Sequence, residues 1–225
     1  LLLGLIALLA VHCVWAEETT GDDFTPPQSL KEGWYARIET GMGRIVARLL
    51  PVQAPQSVAH FVALARGEME WTDPVTGERL RQPFYDGTRV DYSKAGTSFE
   101  VGRLSGTGGV APLIYVPIEG PGPVNFFSGG RLGMGRSPLG RISAVIFFVT
   151  VSAQPWLNGE HPCFGEIVEG EEVAHRIAGV KTFNNGRPME DIRIDGIHIF
   201  SVGEPAPLPE PKRYHPPRAT PTPVR

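Results

Sequence analysis

Apolar and polar residues alternate from Tyr35 through Thr40, a period of two that predicts a half-buried strand. Gly41-Met42-Gly43 breaks the run, and Arg44–Leu49 resumes it, so the two segments read as a hairpin. Residues 54–66 then switch to helical spacing, with Val58, Phe61, Val62 and Ala65 on one face. Pro55 suits the first turn of that helix and Gly67 its end. Ala144–Val151 is almost continuously apolar, the pattern of a strand buried on both faces. Residues 168–180 suggest a second helix starting near Gly170, and Ile192–Phe200 alternates in part as a closing strand. Many short strands with a helix near each end predict a mainly β fold, a closed antiparallel barrel capped by two helices.

One strand breaks the pattern. Tyr85-Asp86-Gly87-Thr88 is a turn, and the strand after it carries Asp91, Tyr92, Ser93 and Lys94 in succession. A barrel wall needs no such run of polar groups, which makes this strand a candidate for chemistry.

The ends differ from the middle. Leu1–Ala16 is uncharged and almost wholly apolar, and it is expected to form an N-terminal apolar helix. A sixteen-residue helix spans about 24 Å, against roughly 30 Å of bilayer core, and the chain starts without Met. Three readings stay open: a retained anchor, a secretory signal cleaved after Ala16, and lipidation at Cys13. All three place the globular part outside the cytoplasm, on the periplasmic side, and the retained anchor is the reading carried forward. Residues 17–33 read as a linker, 34–202 as the domain, and 203–225 as an extended Pro-rich tail able to strap along a partner.

Composition narrows the function. The abundance of Gly (27) and Pro (22) fits a turn-rich β protein better than a helical bundle. A net charge of -3 with no basic block gives no nucleic-acid footprint. The two cysteines, Cys13 and Cys163, lack metal-site spacing, and Gly106-Thr107-Gly108-Gly109 lacks the strand-to-helix setting of a phosphate loop. No metal or cofactor is expected.

Several segments occur in a telling order: Ile38–Ile45, Ala54–Phe61, Phe84–Thr88, Gly106–Gly109, Phe147–Thr150, Pro155–Gly159 and His161–Gly170. Together they resemble the cyclophilins, the peptidyl-prolyl isomerase family, and Trp71-Thr72-Asp73-Pro74 is similar to bacterial members in particular. The resemblance implies an eight-stranded barrel with two capping helices and an outer groove that binds an X-Pro segment without a cofactor. The reaction opposes an amide barrier of about 18–20 kcal/mol, and uncatalysed X-Pro exchange takes roughly tens to hundreds of seconds. The family lowers the barrier with an arginine that donates to the prolyl nitrogen once resonance is lost.

The resemblance assigns Phe148, Trp156, Leu157 and His161 to the groove wall, with Met134 and Gly135 beside them. It also exposes losses. The arginine position, four beyond Thr88, holds Tyr92. The pocket Phe and Met become Thr97 and Ser98, the Gln that orients the arginine becomes Glu100, the Gln before Phe147 becomes Ile146, and the groove Asn becomes Arg136. Arg89, Arg136 and Arg141 are candidate substitutes. The expectation is a catalytically degenerate domain acting as a binding or structural subunit of a membrane protein complex. The alternative is an active isomerase assisting exported polypeptides; the expected partner is a membrane protein complex or an X-Pro-containing polypeptide.

Overall fold

The computed structural model describes residues 24–104, 111–120 and 122–214. The segment 1–16 with Cys13, the Gly106–Gly109 motif and residues 215–225 lie outside the described residues. The chain divides into two units, one ending at Leu30 and the other starting at Lys31. Among the described residues no helix is long and apolar enough to cross a membrane.

The predicted hairpin forms as β1 (Gly33–Thr40) and β2 (Gly43–Leu49), paired antiparallel with Ile38 opposite Ile45. The short strands β3 (Trp71–Thr72) and β4 (Arg79–Leu80) form a separate two-stranded ribbon. The remaining strands are β5 (Val90–Lys94), β6 (Ser98–Val101), β7 (Arg131–Arg136), β8 (Ile142–Thr150), β9 (Cys163–Glu169) and β10 (Ile194–Val202). They join the hairpin in one curled eight-stranded sheet, ordered β10-β1-β2-β9-β7-β8-β6-β5. β10 and β5 are its edge strands; Val90 N–H donates to Ile192 O and Ile194 N–H to Thr88 O, each at 2.9 Å.

Helix α1 (Pro55–Ala65) inserts Phe61 into the concave side of the sheet, within 5.1–5.5 Å of the rings of Tyr85, Phe147 and Phe164. These tilted and edge-on contacts are the favoured aromatic geometries, and the four rings form the centre of the core. The helix lacks a capping side chain at Ala54. Glu119 supplies the cap from a distant loop, accepting from Gln56 N (2.6 Å), Ser57 N (2.8 Å) and Ser57 Oγ (2.6 Å). Three donors at the positive end of a helix are thereby satisfied by one carboxylate.

Helix α2 (Glu171–Ala178) buries Val173, Ala174, Ile177 and Ala178. Its last carbonyls are met by β5: Ser93 Oγ lies 3.1 Å from Ile177 O and 3.0 Å from Ala178 O. One polar residue of the unusual strand thus serves the fold by satisfying helix-end acceptors.

The described part of the Pro-rich tail, 203–214, lies on the domain itself. Trp34 Nε1 donates to Ala206 O at 2.9 Å, and Leu208 packs on the core. Gln56 clasps the strap at two points, receiving Lys212 N–H at 2.8 Å and donating to Glu210 O at 3.4 Å.

Candidate functional site

Cross-strand partners in an antiparallel ladder project to the same face of a sheet. Tyr92 pairs with Glu100, Glu100 with Phe148, and Phe148 with Gly133. β5, β6, β8 and β7 therefore contribute one residue each to a row across the convex face, away from α1. The next row, Phe147 with Met134, faces inward. Met134 is fully buried in the main core, so its side chain does not line the groove as the sequence suggested. Its carbonyl belongs to the site instead, accepting a hydrogen bond from His161 Nδ1 at 2.7 Å.

Phe148, 7% exposed, is the floor of the row. The His161 ring meets it edge-on at 5.3 Å and the Phe126 ring lies 5.6 Å away. A side chain on Gly133 would run into both phenyl rings, so the absence of a Cβ there makes the floor. A carbonyl can only accept, so the Met134 bond places the His161 proton on Nδ1. Burial pushes the His161 pKa down, helped by Arg136, and the ring is neutral at pH 7. Leu157 packs on this cluster, whereas Trp156 is 66% exposed at its rim. Cys163 lies in the same cluster, its thiol pushed up to about 12 by burial, and a cavity of about 110 Å³ opens beside His161, Phe126 and Asn158. A larger cavity, about 380 Å³, lies between Trp71, Phe84 and Leu104, away from this row.

At the other end of the row Tyr92 is 39% exposed and turns toward the loop between α2 and β10. Its ring covers Gly186, where a Cβ would collide with it, and Ser93 N–H donates to Gly186 O at 2.8 Å. The three arginines expected as substitutes each hold a partner of their own. Arg89 pairs with Asp191 at 2.8 Å. Arg136 bonds Glu160 at 2.8 Å and Gly140 O at 2.7 Å, and Arg141 lies over the Tyr115 ring at 5.5 Å.

A fourth arginine, missed in the sequence, reaches the row. Arg103 Nε and Nη2 donate to Glu100 Oε1 at 3.1 and 2.7 Å. Its backbone N–H donates to Asp91 Oδ2 at 2.9 Å. Burial raises the Asp91 pKa to about 7, against the lowering effect of that bond and of Arg103. Arg103 had no motif to mark it. Phe126 was missed as well, because nothing local distinguishes it from a core phenylalanine.

A model of the cyclophilin type peptidyl-prolyl cis-trans isomerase family matches residues 35–199. The chain belongs to the cyclophilin family. It is 35% identical over 173 residues to peptidyl-prolyl cis-trans isomerase B of Streptomyces anulatus, across 76% of this chain and 98% of that protein. It is 31% identical over 173 residues to a probable peptidyl-prolyl cis-trans isomerase A of Mycobacterium leprae, across 76% and 94%. Among solved structures, a Cryptosporidium parvum cyclophilin determined in the presence of the dipeptide Ala-Pro superposes with a TM-score of 0.61 at 25% identity. That match covers 75% of this chain and 99% of the other. Within this cyclophilin Phe148, Leu157, His161 and Phe126 form one apolar cluster, and Tyr92 is packed on a glycine. Among the described residues no three His, Cys, Asp or Glu side chains are grouped to hold a metal.

Proposed function

We propose that this cyclophilin binds X-Pro segments over Phe148 and that its isomerase step is degraded relative to the family. The observation that carries the reading is the row Tyr92–Glu100–Phe148, a phenol and a carboxylate leading to a proline floor where the resemblance calls for a guanidinium. A phenol can donate one hydrogen bond but lacks the charge and fork of arginine, and an ionised Glu100 only accepts. The apolar grip is intact in Phe148, Leu157 and His161, while Thr97 and Ser98 give a weaker wall than Phe and Met. We also propose that the domain works outside the cytoplasm, held by Leu1–Ala16 as a subunit of a membrane assembly. The support is the apolar N-terminal run and the Pro-rich end of the chain.

The test is prolyl exchange of an Ala-Pro peptide measured by NMR with the natural chain, Tyr92→Arg and Phe148→Ala. The expected results are peptide binding lost in Phe148→Ala, and a kcat/KM that rises at least roughly tenfold in Tyr92→Arg. A natural chain as fast as Tyr92→Arg would favour the second reading, an active isomerase, which the names of the relatives support.

A further inference from the structure

The described tail runs along α1 from one end to the other. It starts at the C-terminal end, where Trp34 Nε1 holds Ala206 O at 2.9 Å and the guanidinium of Arg66, the residue closing α1, lies 5.7 Å from the Trp34 ring centroid. It arrives at the N-terminal end at Gln56, which receives Lys212 N–H at 2.8 Å. Lys212 is therefore fastened beside Glu119, because Gln56 N–H donates to Glu119 Oε1 at 2.6 Å. The family match ends at residue 199, so the family fold does not account for this strap.

Glu119 is also a wall of the cavity of about 110 Å³ beside His161 and Phe126. Gln53 pins that wall, its Nε2 donating to Val124 O at 2.6 Å and Cys163 O at 3.0 Å and its Oε1 accepting from Val124 N at 3.1 Å. The Phe126 and His161 rings both rest on Phe148, so the cavity adjoins the proline floor. It is smaller than the roughly 300 Å³ of the smallest drug-sized sites, and suits a single small ring. Phe127, 67% exposed, is a further aromatic in its lining. Pro-rich segments dock in aromatic-lined grooves because they are already extended and lose little entropy on binding. From Lys212 N to the Glu119 carboxylate the path is two hydrogen bonds and one glutamine side chain. Five extended residues cover at most about 17 Å, so Pro217 has the length to pass that wall.

Beyond the described residues the sequence opens with His215-Pro216-Pro217 and goes on to Pro221 and Pro223. From 212 to 225 it carries Lys212, Arg213, Arg218 and Arg225 and no Asp or Glu, the charge complementary to Glu119. We propose that His215-Pro216-Pro217 is an internal ligand of this cavity, seated against Phe126 and His161, and that it holds the groove shut until a partner draws the tail away. The proposal rests on the reading of the Phe148 groove as the X-Pro site. Tethering gives a segment an effective concentration of about 1 mM. A segment with an intrinsic Kd of about 0.1 mM then fills the cavity about nine-tenths of the time, and an outside peptide binds about tenfold more weakly. Both Gln56 contacts to the strap are exposed hydrogen bonds, which water can replace when a partner lifts it.

The experiment titrates an Ala-Pro peptide into two full-length chains, the natural one and a variant combining Pro216→Ala, Pro217→Ala, Pro221→Ala and Pro223→Ala. NMR follows the amide signals of Phe126, Asn158 and His161, and thermal unfolding checks that both chains are folded. The natural chain should bind the peptide at least roughly fivefold more weakly than the variant. Its peptide-free signals should be displaced from those of the free variant toward the variant's saturated positions, and a chain ending at Tyr214 should behave as the variant. Equal Kd values with coincident free signals overturn the internal ligand and leave the groove standing. A folded variant that binds no peptide overturns the groove and this proposal together. A difference that appears only as the protein is concentrated, with dimers in light scattering, overturns the internal assignment in favour of a second copy's tail.

Discussion

The ring of Tyr92 lies against the backbone of Gly186, a residue at φ +80° with no room for a Cβ beneath the ring. The Tyr92 side chain is thus part of the packing that ties β5 to the loop before β10. Replacing Gly186 with Ala should destabilise the fold by about 1–3 kcal/mol, from backbone strain at positive φ plus overlap with the ring. In a Tyr92→Ala background the overlap disappears, and the same change should cost only the strain, about 1 kcal/mol. Urea unfolding of the four proteins in a double-mutant cycle measures the coupling. Equal costs in both backgrounds would show that the ring does not press on Gly186.

Glu119 and the start of α1 make the next prediction. A carboxylate that accepts three hydrogen bonds at a helix N-terminus substitutes for the cap that Ala54 cannot provide. Glu119→Ala should cost about 1–2 kcal/mol, with faster amide exchange at Gln56 and Ser57 than elsewhere in α1. A urea midpoint unchanged within error would remove Glu119 from the account of the helix.

The strap gives a third. A chain ending at Gly203 loses the Trp34–Ala206 bond, both Gln56 contacts and the burial of Leu208. The expected loss is about 2 kcal/mol, or roughly 4–8 °C in Tm for a domain of this size. Gln56→Ala alone should give a smaller part of the same shift. A truncated chain with the Tm of the natural one would show that the tail merely lies on the surface.

What the sequence revealed follows a physical divide. β1, β2 and α1 were legible because each buries one face, and a single face leaves a period of two or 3.6 residues in the chain. Phe148, Leu157 and His161, expected in a groove from ordered motifs, do cluster in the fold. Met134 was assigned to the groove by motif, yet side-chain parity depends on register, and its partner is Phe147 rather than Phe148. Arg103 is only three residues from Glu100, but its direction is set by the φ of Gly102 and by Asp91 on another strand. Glu119 and the tail bond across 62 and 154 or more positions, where no local pattern can point. The polar strand was read as altered chemistry. In the fold Ser93 serves α2, Tyr92 covers Gly186 and Asp91 holds Arg103.

Asp91 carries a pH signature whose sign can be worked out. Its carboxyl has an ordinary value of 3.8, and burial raises it to about 7 in the folded chain. Between those limits the folded state holds a proton that the unfolded state has released, so stability falls as pH rises from about 4 to about 7. The full cost, reached above pH 7, is at most roughly 4 kcal/mol for a shift of this size. His60 and His161 act in the opposite sense. Burial lowers both, so the stability of their neutral forms is present above about pH 6.5 and is lost as pH falls through their folded values. Asp91→Asn keeps an oxygen for the Arg103 N–H but never ionises. The difference in stability between variant and natural chain cancels the histidines, and should be near zero at pH 4, grow through pH 7 and level off by pH 8. Urea unfolding at half-unit steps checks this. A difference that is constant across the range would mean that Asp91 ionises as freely in the fold as in the unfolded chain.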